Sequence, residues 1–111
     1  MPDSVVMARR LVLYKRWTPR PGATSEAIVA FVRDRTIPMY AKLSSEVTLG
    51  LEFATDGRSI LAVQRWSSRA AHQAATTGAA FDQWWEEYRP MLDDWDRMLS
   101  FDSEWETLEL F

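Results

Sequence analysis

The spacing of the hydrophobic residues changes within the stretch from Ile60 to Trp95, and this change most constrains how the chain can fold. The residues from Ile60 to Val63 are continuously apolar and partly β-branched, which is typical of a short strand covered on both faces, and the strand extends to Trp66. Helix-forming residues then run from Arg69 to Ala75. A strand therefore passes directly into helical structure.

A long amphipathic helix is predicted to begin near Ala79, after a break at Thr77-Gly78. Ser67 or Ser68 is expected to cap the short helix that precedes the break. Apolar side chains recur at helical spacing on one face of the long helix, at Phe81, Trp84, Trp85, Tyr88, Met91, Leu92 and Trp95. Aromatic residues in such a pattern more often fill a core or a dimer interface than line a ligand site.

Three further strands are predicted, from Val5 to Trp17, from Val47 to Ala54 and from Met98 to Leu110. The Asp56-Gly57 pair favours a tight hairpin, because these residues readily adopt the positive φ angles that match strand twist. The hairpin pairs the second strand antiparallel with the third. Alternation in the last strand predicts one shared face for Leu99, Phe101, Ser103, Trp105 and Thr107.

Another helix is predicted to begin after a cap at Thr24 or Ser25. Pro38 lacks an N–H and crowds the carbonyl of Asp34, so a kink or break is expected there, with residues 37–43 as a redirected final segment. The predicted buried stripe consists of Ile28, Phe31, Val32, Met39 and Leu43.

The order strand, helix, strand, strand, helical pair, strand predicts an α+β protein with the ferredoxin-like βαββαβ fold. One domain over residues 1–111 is expected, with a four-stranded antiparallel sheet and helices on one face. Because the strands are apolar on both faces, a second copy is predicted to cover the open face in a two-fold homodimer.

Composition narrows the function classes. A net charge of −3 and a pI near 5.1 argue against a nucleic-acid binder. A solvated or salt-bridged role is expected for the basic cluster of Arg9, Arg10, Lys15, Arg16 and Arg20. The lack of cysteine excludes a disulfide or thiol nucleophile and fits a cytoplasmic location, and with one histidine a transition-metal site is not expected. No apolar run reaches membrane-spanning length.

The segment from Asp56-Gly57 through the strand ending Gln64-Arg65-Trp66, then Ser67 to His72 and Phe81 to Trp84, resembles the antibiotic biosynthesis monooxygenase group of the dimeric α+β barrel superfamily. The resemblance implies a pocket between the sheet and the helices. It places Trp66 at a substrate-lining position and His72 where the group uses a tyrosine. Ala62 replaces an asparagine of the pattern, and Gln64 lies on the same strand face.

The resemblance implies a small oxygenase that needs no cofactor and joins molecular oxygen to an aromatic, polyketide-like substrate. His72 is the predicted base and Trp66 the second predicted catalytic residue, with Tyr14, Gln64, Trp84 and Tyr88 as predicted substrate-binding neighbours. A haem-degrading relative would need a histidine on the long helix, and residues 79–95 contain none. A cyclase or isomerase and a non-catalytic binding or stress-response module remain alternatives.

Overall fold

The computed structural model describes residues 9–110, so the predicted strand residues from Val5 to Ala8 lie outside the described part. The helices and strands occur in the predicted order, and their bounds lie close to the predicted ones. They are β1 Leu11–Pro19, α1 Ser25–Phe31, α2 Ile37–Leu43, β2 Val47–Phe53, β3 Ile60–Trp66, α3 Arg69–Ala75, α4 Ala79–Met98 and β4 Leu99–Leu108.

The strands form one antiparallel sheet in the order β2-β3-β1-β4. In the register of β1 and β3, Leu13 lies opposite Gln64, Lys15 opposite Ala62 and Trp17 opposite Ile60, so these side chains share one face. The helices pack on this face. The predicted ferredoxin-like α+β fold is therefore confirmed.

The predicted helix caps and the predicted hairpin turn are formed by residues close together in the sequence. The Thr24 hydroxyl oxygen accepts a hydrogen bond from the Ala27 N–H at 3.1 Å, and the Ser68 hydroxyl oxygen accepts one from the Ala71 N–H at 3.0 Å. Gly57 has a φ of 71°, the left-handed conformation that the hairpin requires. These contacts set where α1 and α3 begin and how β2 returns as β3.

The Pro38 region stays helical, although the proline changes its geometry. Residues Val32–Thr36 form a π-helical turn between α1 and α2, in which the Ile37 N–H reaches the carbonyl of Val32. Pro38 then falls in the first turn of α2. The first turn of a helix tolerates a missing N–H, so the predicted kink or break takes the form of a wide turn.

The predicted alternation of β4 is wrong beyond its first residues. Trp17 pairs with Phe101 whereas Arg16 pairs with Ser103, so Asp102 is an extra residue in a β-bulge. Leu99 and Phe101 face the helices as a result, and Ser103, Trp105 and Thr107 face the opposite side. One inserted residue reverses the direction of every later side chain because the strand period is two.

The core lies between the sheet and the helices. Its central buried side chains are Trp17, Ile28, Val32, Ile60, Trp95 and Leu99. The Trp17 and Trp95 rings meet edge to face with centroids 5.6 Å apart, which joins β1 to α4. Within residues 9–110, no helix is long and apolar enough to cross a membrane.

Candidate functional site

A cavity of about 120 Å³ lies beside this core, between the sheet and the helices. Six aromatic side chains contribute to its wall, from Trp17, Phe31, Tyr40, Trp85, Tyr88 and Trp95, and polar groups come from Lys15, Thr36 and Gln64. An engineered protein cavity of about 150 Å³ binds benzene. The volume here therefore suits about one aromatic ring.

A chain of hydrogen bonds runs from β3 to the wall of this cavity. The Trp66 indole N–H donates to the Gln64 side-chain carbonyl at 3.0 Å, and the Gln64 amide donates to the Tyr40 hydroxyl oxygen at 3.0 Å. Gln64 and Tyr40 both line the cavity, whereas Trp66 is only 1% exposed and lies behind Gln64. Trp66 therefore orients the amide that holds Tyr40.

Tyr40 and Tyr88 form a pair of protonated phenols. Burial raises the pKa of Tyr40, against the smaller lowering effects of hydrogen bonds from Tyr88 and Gln64. Burial also raises the pKa of Tyr88, and its contact with Tyr40 raises it further. Since the Tyr40 oxygen accepts from the Gln64 amide, its own O–H remains available as a donor to a ligand.

Packing holds these two rings at the cavity wall. The Tyr40 ring meets Trp84 edge to face with centroids 5.1 Å apart, and Trp84 stacks on Tyr88 at 4.6 Å. The Trp84 indole N–H donates to the Met39 carbonyl at 2.7 Å, which ties α4 to α2. The π-helical turn before α2 contributes Val32 and Thr36 to the same wall.

The structure brings only two of the predicted site residues, Gln64 and Tyr88, to the cavity wall. Trp66 and Trp84 support that wall from behind through the contacts just described. Tyr14 lies on the opposite face of the sheet, where its ring stacks on Trp105 with centroids 5.2 Å apart. The expected position of Tyr14 beside the pocket is thus corrected by the register of β1.

His72 packs against the edge of Trp66, with ring centroids 5.0 Å apart, and does not line the cavity. Burial lowers its pKa, Glu106 opposes this by raising it, and Arg69 lowers it further. The imidazole is therefore mainly neutral at pH 7, as a base must be, but neither it nor its neighbour Trp66 is among the described residues that line the cavity.

Sequence reasoning missed Lys15, Tyr40 and Trp85 as wall residues. The signal for Lys15 was present, because it alternates with Leu13 and Trp17 and must share their inward face. Trp85 was indistinguishable from Trp84 within one wide helical stripe. Nothing in the sequence near Tyr40 marked it, since its direction depends on the π-helical turn before it.

Several solved structures share this fold. SnoaB, a cofactor-independent oxygenase from Streptomyces nogalater, is 19% identical, with a TM-score of 0.58 over 90% of this chain and 92% of that chain. NE2512, a protein of unknown function from Nitrosomonas europaea, is 17% identical, with a TM-score of 0.61 over 95% and 93% of the two chains. Rv0793 from Mycobacterium tuberculosis is 20% identical, with a TM-score of 0.51 over 90% and 92%.

No family model matches the chain, and no curated protein sequence matches it either. The structural likenesses establish the fold, which this chain shares with SnoaB, NE2512 and Rv0793. The predicted resemblance is confirmed at this level. Because these neighbours include both an oxygenase and a protein of unknown function, the fold alone does not select an activity.

Proposed function

We propose that the protein is a cofactor-independent oxygenase that acts on a small aromatic substrate in the cavity between the sheet and the helices. The observation that carries this proposal is a partly open aromatic cavity in which a part-buried hydrogen-bond chain from Trp66 leaves the Tyr40 O–H as a donor. The likeness to SnoaB supports it by analogy of fold.

The substrate would place about one ring inside the cavity, as its volume of about 120 Å³ suggests. A polyketide-like substrate with fused rings would extend its remaining rings through the open side of the cavity. A substrate with an acidic methylene group next to a ring carbonyl, or conjugated with one through an aromatic ring, suits the chemistry. The Tyr40 O–H would donate to the carbonyl oxygen and stabilise the enolate that forms when the methylene loses a proton.

The enolate would then react directly with molecular oxygen. An electron passes from the carbanion to O₂, a C–O bond forms, and loss of one water from the resulting hydroperoxide leaves a second carbonyl. The methylene carbon is oxidised by four electrons, and the two oxygen atoms end in the product and in water. The aromatic wall, including Trp85 and Trp95, would hold the ring and exclude bulk water.

We propose a route for proton loss that does not use the predicted base His72, because His72 does not line the cavity. Among the described residues that line the cavity, none is a histidine, aspartate or glutamate. We therefore assign His72 and Trp66 to positioning roles. We propose that the acidity of the bound substrate, increased by the donor at Tyr40, permits proton loss to a water molecule at the open side of the cavity, and that the peroxide formed later takes up a proton from solvent.

Isotope labelling tests the oxygenase proposal. The purified protein would be incubated with an anthrone or with 2-indanone, which has one aromatic ring and an acidic methylene next to a carbonyl, under ¹⁸O₂ and without added flavin, metal or nicotinamide. The expected product carries one labelled oxygen atom, measured by mass spectrometry. Turnover that requires an added flavin, or no turnover of any such substrate, would contradict the proposal.

A ligand-binding module is the second candidate, and the lack of a carboxylate or imidazole among the described cavity residues favours it. Mass spectrometry of small molecules retained by the purified protein would separate the two. A retained aromatic compound that survives exposure to oxygen unchanged indicates binding without catalysis. A product isomeric with its substrate would instead indicate a cyclase or isomerase.

We also propose that the protein is a homodimer whose copies meet through the sheet face opposite the helices. The stacked pair of Tyr14 and Trp105 supports this, because Trp105 is 41% exposed on that face. A cytoplasmic location and the lack of a nucleic-acid partner stay predictions from composition.

A further inference from the structure

Lys15 places a cation at the cavity wall. It lies on the helix-facing side of β1 between Leu13 and Trp17, opposite Ala62 on β3. Both Lys15 and Ala62 line the cavity, and the small alanine side chain leaves open space beside the lysine. The remaining wall near Lys15 is largely aromatic and aliphatic.

Within the described part of the chain, every ion pair uses an arginine and none includes Lys15. Glu104 lies opposite Lys15 in the register of β1 and β4, but its exposed carboxylate does not pair with the ammonium group. A charge that is partly removed from water without a counterion is unfavourable. An anion bound in the cavity would relieve this cost.

We infer that the cavity selects a planar aromatic anion, with the negative oxygen of the ligand beside the Lys15 ammonium and its ring among the aromatic side chains. This inference rests on the proposed function for the location of the site and adds the charge of the substrate. It also gives the proposed oxygenase a way to act without an acidic or imidazole base in its cavity, because an enolate or phenolate is the form of substrate that Lys15 would stabilise.

Paired ligands of one shape and different charge test the inference. Benzoate and benzamide both present one ring and a planar substituent, but only benzoate is charged. Their dissociation constants would be measured by NMR titration of ¹⁵N-labelled protein at near-physiological salt. Benzoate is expected to bind roughly tenfold more tightly than benzamide, a typical effect of one partly buried charge pair.

Three variants locate the origin of this preference. In Lys15→Met, which keeps the length of the side chain but removes its charge, the two ligands should bind within about twofold of each other. Lys15→Arg should retain the preference for benzoate. Lys42→Met removes a charge from the exposed side of α2 and should leave the preference unchanged.

Any of three results would overturn the inference. Benzoate and benzamide could bind the unmodified protein with equal affinity, Lys15→Met could keep the preference for benzoate, or benzoate could fail to bind up to roughly 10 mM. The measurement on the unmodified protein decides the question even if Lys15→Met fails to fold. The titrations involve no turnover. The protein can therefore prefer benzoate even if it incorporates no labelled oxygen, and it can incorporate labelled oxygen without preferring benzoate. The two proposals are therefore tested separately.

Discussion

Tyr40 is the residue through which the hydrogen-bond chain reaches the cavity. Its hydroxyl oxygen accepts from Gln64, which is itself oriented by Trp66, and its O–H is the group that we expect to contact substrate. A half-buried phenol with a raised pKa remains a hydrogen-bond donor at neutral pH. The role of the cavity in catalysis can therefore be tested at this single atom.

Tyr40→Phe is expected to lower the turnover of an oxygenase substrate by at least about tenfold, because a preorganised donor to a developing oxyanion is removed while the ring remains. Incorporation of ¹⁸O is the measurement. Tyr14→Phe removes a hydroxyl from the opposite face of the sheet and should have a smaller effect. Equal losses in the two variants would argue against a role for the Tyr40 hydroxyl at the site.

His72 should make stability depend on pH. Burial holds its pKa in the folded chain below the ordinary value of 6.5, so the unfolded chain binds a proton more readily just below pH 6.5. The neutral histidine therefore contributes stability above pH 6.5, and this contribution is lost as the pH falls through the folded pKa.

His72→Gln is expected to lose less stability than the unmodified protein between pH 7.5 and pH 5.5, as measured by urea denaturation. Between pH 7.5 and pH 8.5, where the imidazole stays neutral in both states, the difference between the two proteins should remain constant. Identical pH dependence in both proteins at pH 5.5 would show that His72 does not titrate differently on folding.

At the scale of elements, the β2-β3 turn is organised by Asp56. One carboxylate oxygen accepts from the backbone N–H groups of Arg58 and Ser59, each at 2.8 Å, and the other accepts from the Ser59 hydroxyl at 2.8 Å. These hydrogen bonds lower the pKa of Asp56 to about 2, from an ordinary value of 3.8. The ionised carboxylate therefore stabilises the turn above pH 3.8, and this effect is lost as the pH falls toward 2.

Asp56→Ala should lower the Tm at pH 7 by roughly several degrees, because two backbone donors and one hydroxyl lose their acceptor. The difference in Tm from the unmodified protein should shrink as the pH approaches 2. Asp93→Ala removes a carboxylate from the exposed face of α4 and serves as the control. A loss in the Asp93 variant as large as that in the Asp56 variant would rule out the turn as the cause.

At the scale of the whole molecule, the sheet has one face under the helices and one face without cover from the described helices. The uncovered face carries Trp105, which stacks on Tyr14, and the Arg16–Asp56 ion pair at 3.8 Å. Large aromatic groups on a sheet face that the helices leave uncovered favour association with another surface. A second copy meeting this face would bury them.

Sedimentation equilibrium should give about twice the chain mass of 12.9 kDa at micromolar concentration. Trp105→Glu is expected to shift the protein to the monomer mass. In a two-fold dimer, the two new carboxylates would either face each other or be buried among apolar side chains of the interface. Val29→Glu changes a side chain that is 48% exposed on α1 and should leave the dimer intact. A monomer in the unmodified protein would refute the proposed assembly.

The sequence by itself determined the order of the elements and most of their bounds, because hydrophobic period, capping residues and turn residues act over short distances. The Ile60–Trp66 strand, the Ser68 cap and the Asp56-Gly57 turn all depend on neighbours in the chain. The fold class followed from that order, since few topologies accommodate it.

Tertiary structure alone decided which side chains meet at the cavity. The bulge at Asp102 arises from pairing with β1, and it separates Phe101 from Trp105 although alternation predicts one face for both. Tyr40 reaches the wall after a π-helical turn that no local signal specified. The face of the sheet that a side chain occupies, and the side chains that meet at a cavity, depend on strand register and on packing between segments distant in sequence. Hydrophobic periodicity, in contrast, indicates only the secondary structure of each segment by itself.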